Sequence, residues 1–269
     1  MGEDKGEGEE GNFLPSGWGA QNSGPLMIIS FNQPAFIPWG GFFARLLRSG
    51  RMVLLDESLL ARGFTFVNRN RLKGPEGEVW ITVPLKRKGR GRQKIKDLEI
   101  YEKARWASKF LSTLGHYYRK SLYFEAVFRD IEAVVNEADD SFMTMALGLL
   151  PLLKRHLGIE NEMVLQSSLG ISGKGTPLLV SIAEKLRADE VILPHGSKKS
   201  LECAQFERAG IKLRFLRYSP PQYPQFWGDF LPNLSVLDLL LCLGPSGREV
   251  IKKGTFCLTA RTACDIGKG

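Results

Sequence analysis

The densest run of chemistry-bearing residues in this sequence is NQPAFIPWGGFF, residues 32–43. Asn32 and Gln33 offer amide donors and acceptors. Phe36 and Trp39 offer flat faces on which a base or a sugar stacks. Gly40 and Gly41 permit close backbone approach at a helix N-terminus, where N–H groups and the helix dipole favour an anion. Together they suit a pocket for a phosphorylated ligand. The alternative is that Pro38 and Trp39 pack inward and only fix the angle at which the helix begins. Further along, SGKGT places Lys174 between glycines with Thr176 opening a helix. It has phosphate-loop character without the G-x-x-x-x-G-K-[ST] spacing, and a plain helix cap explains it equally. In NRNRLKGPEG, Arg69 and Asn70 belong to a cluster of polar forks. Arginine grips phosphate or carboxylate with two parallel bonds, whereas the asparagines alone would read as turn formers.

Two carboxylates are candidates for acid–base work. Asp56 closes the apolar run RMVLLDE, and Asp238 sits among leucines in SVLDLLL. A carboxylate in apolar surroundings needs a partner, so Asp238 is either catalytic or the anchor of other side chains. Asn233 and Ser235, just before it, are ligand contacts or helix caps. The histidines, His116, His156 and His195, are scattered, and none of the four cysteines forms a C-x-x-C pair. No metal site is expected from this spacing, no motif names a cofactor, and the cysteine pattern suits a reducing compartment.

The elements that must position these residues follow from periodicity. LMIIS, RMVLLDE, NEMVLQSSL, DEVILPHG and IKLRFLRY read as buried strands, each separated from the next by helical segments. EVWITVPLK is a further alternating strand. Three helical segments, about residues 101–119, 124–137 and 141–156, form an insert over about 101–157. The fold expected is α/β, a parallel sheet flanked by helices, with that insert. Its domain spans about 25–254, after a Gly- and Glu-rich leader at 1–24 read as disordered; residues 255–269 show no clear pattern. In such sheets ligands bind beyond the carboxyl ends of the strands, which is where the loops carrying Asn32, Asp56, Lys174 and PHGSKKS fall.

The formal net charge is +8, and the first ten residues hold five acids and one lysine, which leaves +12 on the rest. A basic body suggests a phosphorylated or nucleic-acid partner. LKRKGRGRQKIK, residues 85–96, is a candidate arm for such a partner or a solvated loop; few aromatics interleave it, against single-strand binding. No apolar run is long enough to span a bilayer, no signal peptide is evident, and a cytoplasmic location is expected.

NQPAFIPWGGFF, LLDE, NRNRL, TVPLKRKGRGRQKI, GKGT, AGI and YPQFWGDFLPNLSVLDLL occur here in the order of the WbqC-like protein family, which the chain resembles over about residues 27–251. The family motif begins with His and has Tyr four residues on; here these are Asn32 and Phe36. The resemblance implies surface-polysaccharide (O-antigen type) biosynthesis, read here as group transfer onto a nucleotide-linked sugar or similar phosphorylated precursor. The competing expectation is a non-catalytic module that binds phosphate or nucleic acid. A more distant resemblance is to the H-x-G-H nucleotidyltransferase superfamily, whose two histidines would fall at Trp39 and Phe42.

Overall fold

The computed structural model describes residues 26–259. Six strands form one sheet: β1 (Ile28–Asn32), β2 (Arg51–Leu54), β5 (Glu162–Leu165), β6 (Glu190–Pro194), β7 (Lys212–Tyr218) and β8 (Thr255–Thr259), in the spatial order β5-β2-β1-β6-β7-β8. The first five are parallel, and β8 pairs antiparallel with β7. The chain thus leaves β1 in one direction through β2 and β5, then crosses back to β6 and β7 on the other side. This reversal makes β1 and β6 the topological switch point, the place beyond the strands' carboxyl ends where ligands bind in parallel α/β sheets.

Alternation along β1 decides what each face of the sheet meets. Ile29 and Phe31 point into a core shared with the helices α5 (Gly175–Lys185) and α6 (Cys203–Arg208). Ser30 and Asn32 therefore face the opposite side, where α1 (Gly40–Arg48) packs, joined by α7 (Val236–Leu243) and α8 (Gly247–Lys253). Helices on both faces are what buried parallel strands require, so the α/β expectation holds.

Between β2 and β5 lie the hairpin β3 (Arg69–Gly74) and β4 (Gly77–Thr82), then α2 (Lys103–Tyr118), α3 (Phe124–Glu137) and α4 (Phe142–His156). The helices fall where the periodicity puts them. On α2, Trp106, Phe110, Leu114 and Tyr118 recur every fourth residue and are all buried. The Ser141 hydroxyl caps α4 by accepting from the Thr144 N–H at 3.2 Å.

Two readings need correction. RNRLKG, Arg69–Gly74, is a strand rather than a turn cluster: it pairs with Gly77–Thr82 through the two-residue turn Pro75-Glu76, forming a sheet of its own. Residues 255–259 are not patternless but form β8 on the sheet edge. Residues 247–253, which carry no sequence expectation, form α8. The leader 1–24 and residues 260–269 lie outside the described residues.

Gly148 on α4 packs against Val134 of α3. A Cβ there would stand 2.5 Å from a γ-methyl of Val134. Gly148→Ala should therefore lower stability by about 1–3 kcal/mol through overpacking, although alanine is the better helix former. Urea unfolding should show the loss, and Val134→Ala in the same chain should recover most of it.

Candidate functional site

The carboxyl end of β1 carries a buried cation that the sequence reading missed. Asn32, half-buried, donates from Nδ2 to the Gln33 carbonyl at 2.7 Å, and its Oδ1 accepts from Nη2 of Arg45 on α1. Arg45 is 4% exposed, its Nε has no partner, and among the described residues no carboxylate pairs with it. Burial pushes the guanidinium's pKa down to about 10, so it stays charged at neutral pH. Behind it, the Ser30 and Ser49 hydroxyls meet at 2.9 Å, and Ser49 donates to the Arg45 carbonyl. A polar column thus runs between β1 and α1, in a layer that is otherwise apolar. A buried charge without a counter-ion is costly, so this point of the molecule favours an anion. The signal in the sequence was an arginine three residues after Phe42, on the buried stripe of a short helix.

The neighbouring strand ends bring other expected residues to the same edge of the sheet. Asn32 is level with Leu54 of β2, and two residues on stands Asp56, buried. Its Oδ1 accepts from the Ser167 N–H after β5 at 3.0 Å, and its carbonyl accepts from the Lys96 N–H. Glu57 takes Lys96 at 2.5 Å and Lys94 at 3.4 Å; these bonds hold its carboxyl below the usual range. Gln166 is buried, with Nε2 on the Ile171 carbonyl and Oε1 without a partner. Lys174 is exposed ahead of α5. Thr176 is buried, and its hydroxyl accepts from the Glu202 N–H at 3.0 Å, so it ties α5 to α6. His195, Lys198 and Lys199 follow β6, the other strand of the switch point.

The loop from Gln33 to Trp39 is held rather than free. Phe36 N–H donates to the Val67 carbonyl, and the Ile37 carbonyl accepts from Asn70 Nδ2 at 2.8 Å and from Ser235 Oγ at 2.7 Å. The other end of the Asn70 amide accepts from the Arg71 N–H, so both its ends serve the backbone. Phe36 is fully buried against Trp106 and Phe110, at 5.5 and 5.3 Å between ring centroids. Its expected role as a stacking face for a ligand is therefore corrected: the ring is core. Trp39 is half-buried and meets Tyr218 edge-on at 5.4 Å. A Cβ on Gly41 would lie 2.5 Å from the Trp39 ring, and one on Gly40 would collide with Tyr218. The paired glycines make room for these two rings.

The remaining candidates lie on the hairpin side. Arg69 lays its guanidinium over Phe64 at 5.3 Å, and its Nε has no partner. Asn233 has a left-handed backbone (φ 58°), and its carbonyl accepts from Arg71 Nη2 at 3.0 Å. Asp238 is fully buried and accepts from the hydroxyls of Tyr118 at 2.6 Å and Tyr223 at 2.8 Å. Lys73, also buried, donates to Gln225 Oε1 and to the carbonyls of Gly228 and Asp229. Asp238 and Lys73 together pin the proline- and aromatic-rich loop 219–235 to α2 and β3. Among the described residues no three His, Cys, Asp or Glu side chains gather as a metal site, and no helix is long and apolar enough to cross a membrane.

The family model of the WbqC-like protein family matches residues 33–250, and the chain belongs to that family. It is also similar to the "Uncharacterized protein Rv1507c" of Mycobacterium tuberculosis, 24% identical over 226 residues, which covers 83% of this chain and 97% of the relative.

The Asp238 anchor has a pH signature. Burial raises its folded pKa above 3.8 against the pull of Tyr118 and Tyr223. The folded state then holds the proton longer than the unfolded chain does. The contribution of Asp238 to stability therefore falls as pH rises from the ordinary carboxylate value through the raised one. Asp238→Asn should remove that slope and, by spoiling hydrogen bonds, lower stability at neutral pH by about 1–3 kcal/mol. Urea unfolding across a pH series from about 4 upward checks both; a mutant as steep as the wild type would refute the assignment.

Proposed function

We propose that this member of the WbqC-like family transfers a group onto a nucleotide-linked sugar or a similar phosphorylated precursor, in cytoplasmic assembly of a surface polysaccharide of the O-antigen type. In this reading the ligand's phosphate lies beyond the carboxyl ends of β1 and β6. The observation that carries it is Arg45: a charged guanidinium, nearly sealed from solvent, with an unpaired Nε and no carboxylate, bonded to the half-buried Asn32 at the strand end. An arriving phosphate or carboxylate would supply the missing counter-charge with charge-assisted hydrogen bonds. Gln33, on the same loop, and Lys174, ahead of α5, are the further binding groups. Asp56, at the end of the adjacent strand, would take the proton of an acceptor hydroxyl or amine as its oxygen or nitrogen bonds to the transferred group, while that group's bond to its donor breaks and the donor's leaving group departs with the electron pair.

The charge for a phosphate does not come from the positions of the H-x-G-H resemblance. Trp39 packs on Tyr218, and Phe42 is buried, so any electrostatic stabilisation there falls to Arg45. Support for nucleic-acid binding by the basic arm weakens in the same comparison. Lys86 pairs with Glu99 and Asp140, Arg90 with Glu99, and Lys94 and Lys96 with Glu57. Much of the positive charge in that stretch is neutralised within the fold.

Arg45→Met separates a functional cation from a structural one. Replacing an uncompensated buried charge by an apolar side chain should leave stability equal or raise it. A thermal-shift panel of nucleotides, nucleotide sugars and coenzyme A should then show one ligand raising the wild-type midpoint. At a hundred-fold excess over Kd the rise expected is about 5–10 °C, and it should be absent in Arg45→Met. A mutant that loses stability yet binds the same ligand equally well would overturn the reading.

A further inference from the structure

A second concave site lies on the hairpin side of the molecule. A cleft of about 460 Å³ opens between β4 and α2, within the range of small-ligand pockets. Its walls are aromatic. Trp80 on β4 is 40% exposed and Tyr101, just before α2, is 53% exposed. Trp106 and Phe110 are stacked nearly parallel, with centroids 5.4 Å apart. Beyond the mouth, Phe64 and Phe66 continue the aromatic surface from Trp80. Exposed rings of this size gathered in one place mark a binding surface.

The rim is polar. Thr82, Glu102, Arg105, Lys109 and Thr113 surround the rings. Glu102 has a left-handed backbone (φ 45°, ψ 50°) and pairs with Arg105 at 3.1 Å. An apolar wall with a ring of hydrogen-bonding groups suits a ligand with apolar faces and polar edges. The rim charges are mixed: Arg105 is already paired with Glu102, and Lys109 adds a second cation. A nucleotide's phosphate would have Lys109 for a partner but would also meet the Glu102 carboxylate on the same rim. A polyhydroxylated ring would instead find both a donor and an acceptor in the Arg105–Glu102 fork, with its C–H face on Trp80 or Tyr101.

We propose that the cleft between β4 and α2 binds a saccharide ring. The inference rests on the cleft alone and stands apart from the switch point at β1 and β6. The full chain would be titrated with maltotriose, cellotriose, chitotriose and trigalacturonate, following saturation-transfer NMR and tryptophan fluorescence. At least one should bind saturably, with transfer into its ring C–H protons. Affinity should fall roughly ten-fold in Trp80→Ala and in Tyr101→Ala. Both test rings are substantially exposed, so two independent variants guard against a misfolded one; circular dichroism confirms each fold. Absence of binding by all four saccharides, binding unaffected by either ring variant, or displacement of the saccharide by AMP with higher affinity at the same cleft would overturn the proposal. So would self-association of the wild type that Trp80→Ala abolishes, since the patch would then be a contact between copies.

Discussion

The carbonyl oxygen of Ile37 is the point on which the architecture turns. It accepts two hydrogen bonds from segments remote in sequence, Asn70 of the hairpin and Ser235 at the head of α7. The flanking backbone continues the junction: Phe36 N–H reaches Val67, Val236 N–H reaches the Pro38 carbonyl, and Trp39 bridges Ser235. The β1–α1 connection, the hairpin and the C-terminal helices therefore meet at one loop. Each bond contributes only about 1 kcal/mol net, but they are mutually dependent, because each needs the same loop conformation. Ile37 itself has φ 36°, a region that a β-branched residue adopts only where its surroundings impose it. Pro34 and Pro38 reduce the entropy lost in fixing that shape. A connection of this kind holds its two ends in fixed relation: Gln33 at the sheet edge, Phe36 beneath the aromatic cleft.

The contrast between paired and unpaired cations organises the chemistry. Most of the basic arm is answered by Glu57, Glu99 and Asp140, and those ion pairs are partly exposed, where they count for little either way. Arg45 is the reverse case, deeply buried and, among the described residues, without a counter-ion. A fold under selection for stability alone would place a leucine or methionine there. Retaining a charge at the switch point of a parallel sheet is a local loss of stability, the kind that binding sites exhibit. Asp238 and Lys73 also lie in the interior, but each is answered by several hydrogen bonds, and both serve to hold a loop.

The sheet and its helices were legible because their signals are periodic. Phe124–Glu137 emerged with the expected bounds, and the apolar runs in DEVILP and IKLRFLRY gave β6 and β7 directly. What escaped was set by partners rather than by local pattern. RNRLKG has few apolar residues and reads as polar turn material; only the pairing with Gly77–Thr82, and Asn70 reaching Ile37, makes it a strand. Residues 255–259 become a strand because β7 has an open edge. The site was half legible. Asn32, Gln33, Asp56 and Lys174 were placed at the sheet edge by topology, whereas Arg45 looked like an ordinary helix cation. Its burial depends on α1 being enclosed almost on all sides between β1, β7 and α8, which no window of the sequence displays.

The family motif's histidine at position 32 takes on a physical meaning beside Arg45. The group at that position accepts a hydrogen bond from a buried guanidinium. A neutral imidazole can do so through one ring nitrogen, but a protonated one cannot, and it would add a second cation to a site that already lacks a counter-ion. Histidine there would be held neutral by Arg45 and would be a weaker base than a free imidazole. Asparagine keeps the acceptor at every pH and gives up the proton chemistry. The substitution therefore keeps the hydrogen bond to Arg45, and in the proposed reading any acid–base role passes to another group at the same edge. Asp56 is the carboxylate that the topology places there. In the proposed reading, recognition of the phosphate and transfer of the proton fall to two strand ends, β1 with α1 for the first and β2 for the second.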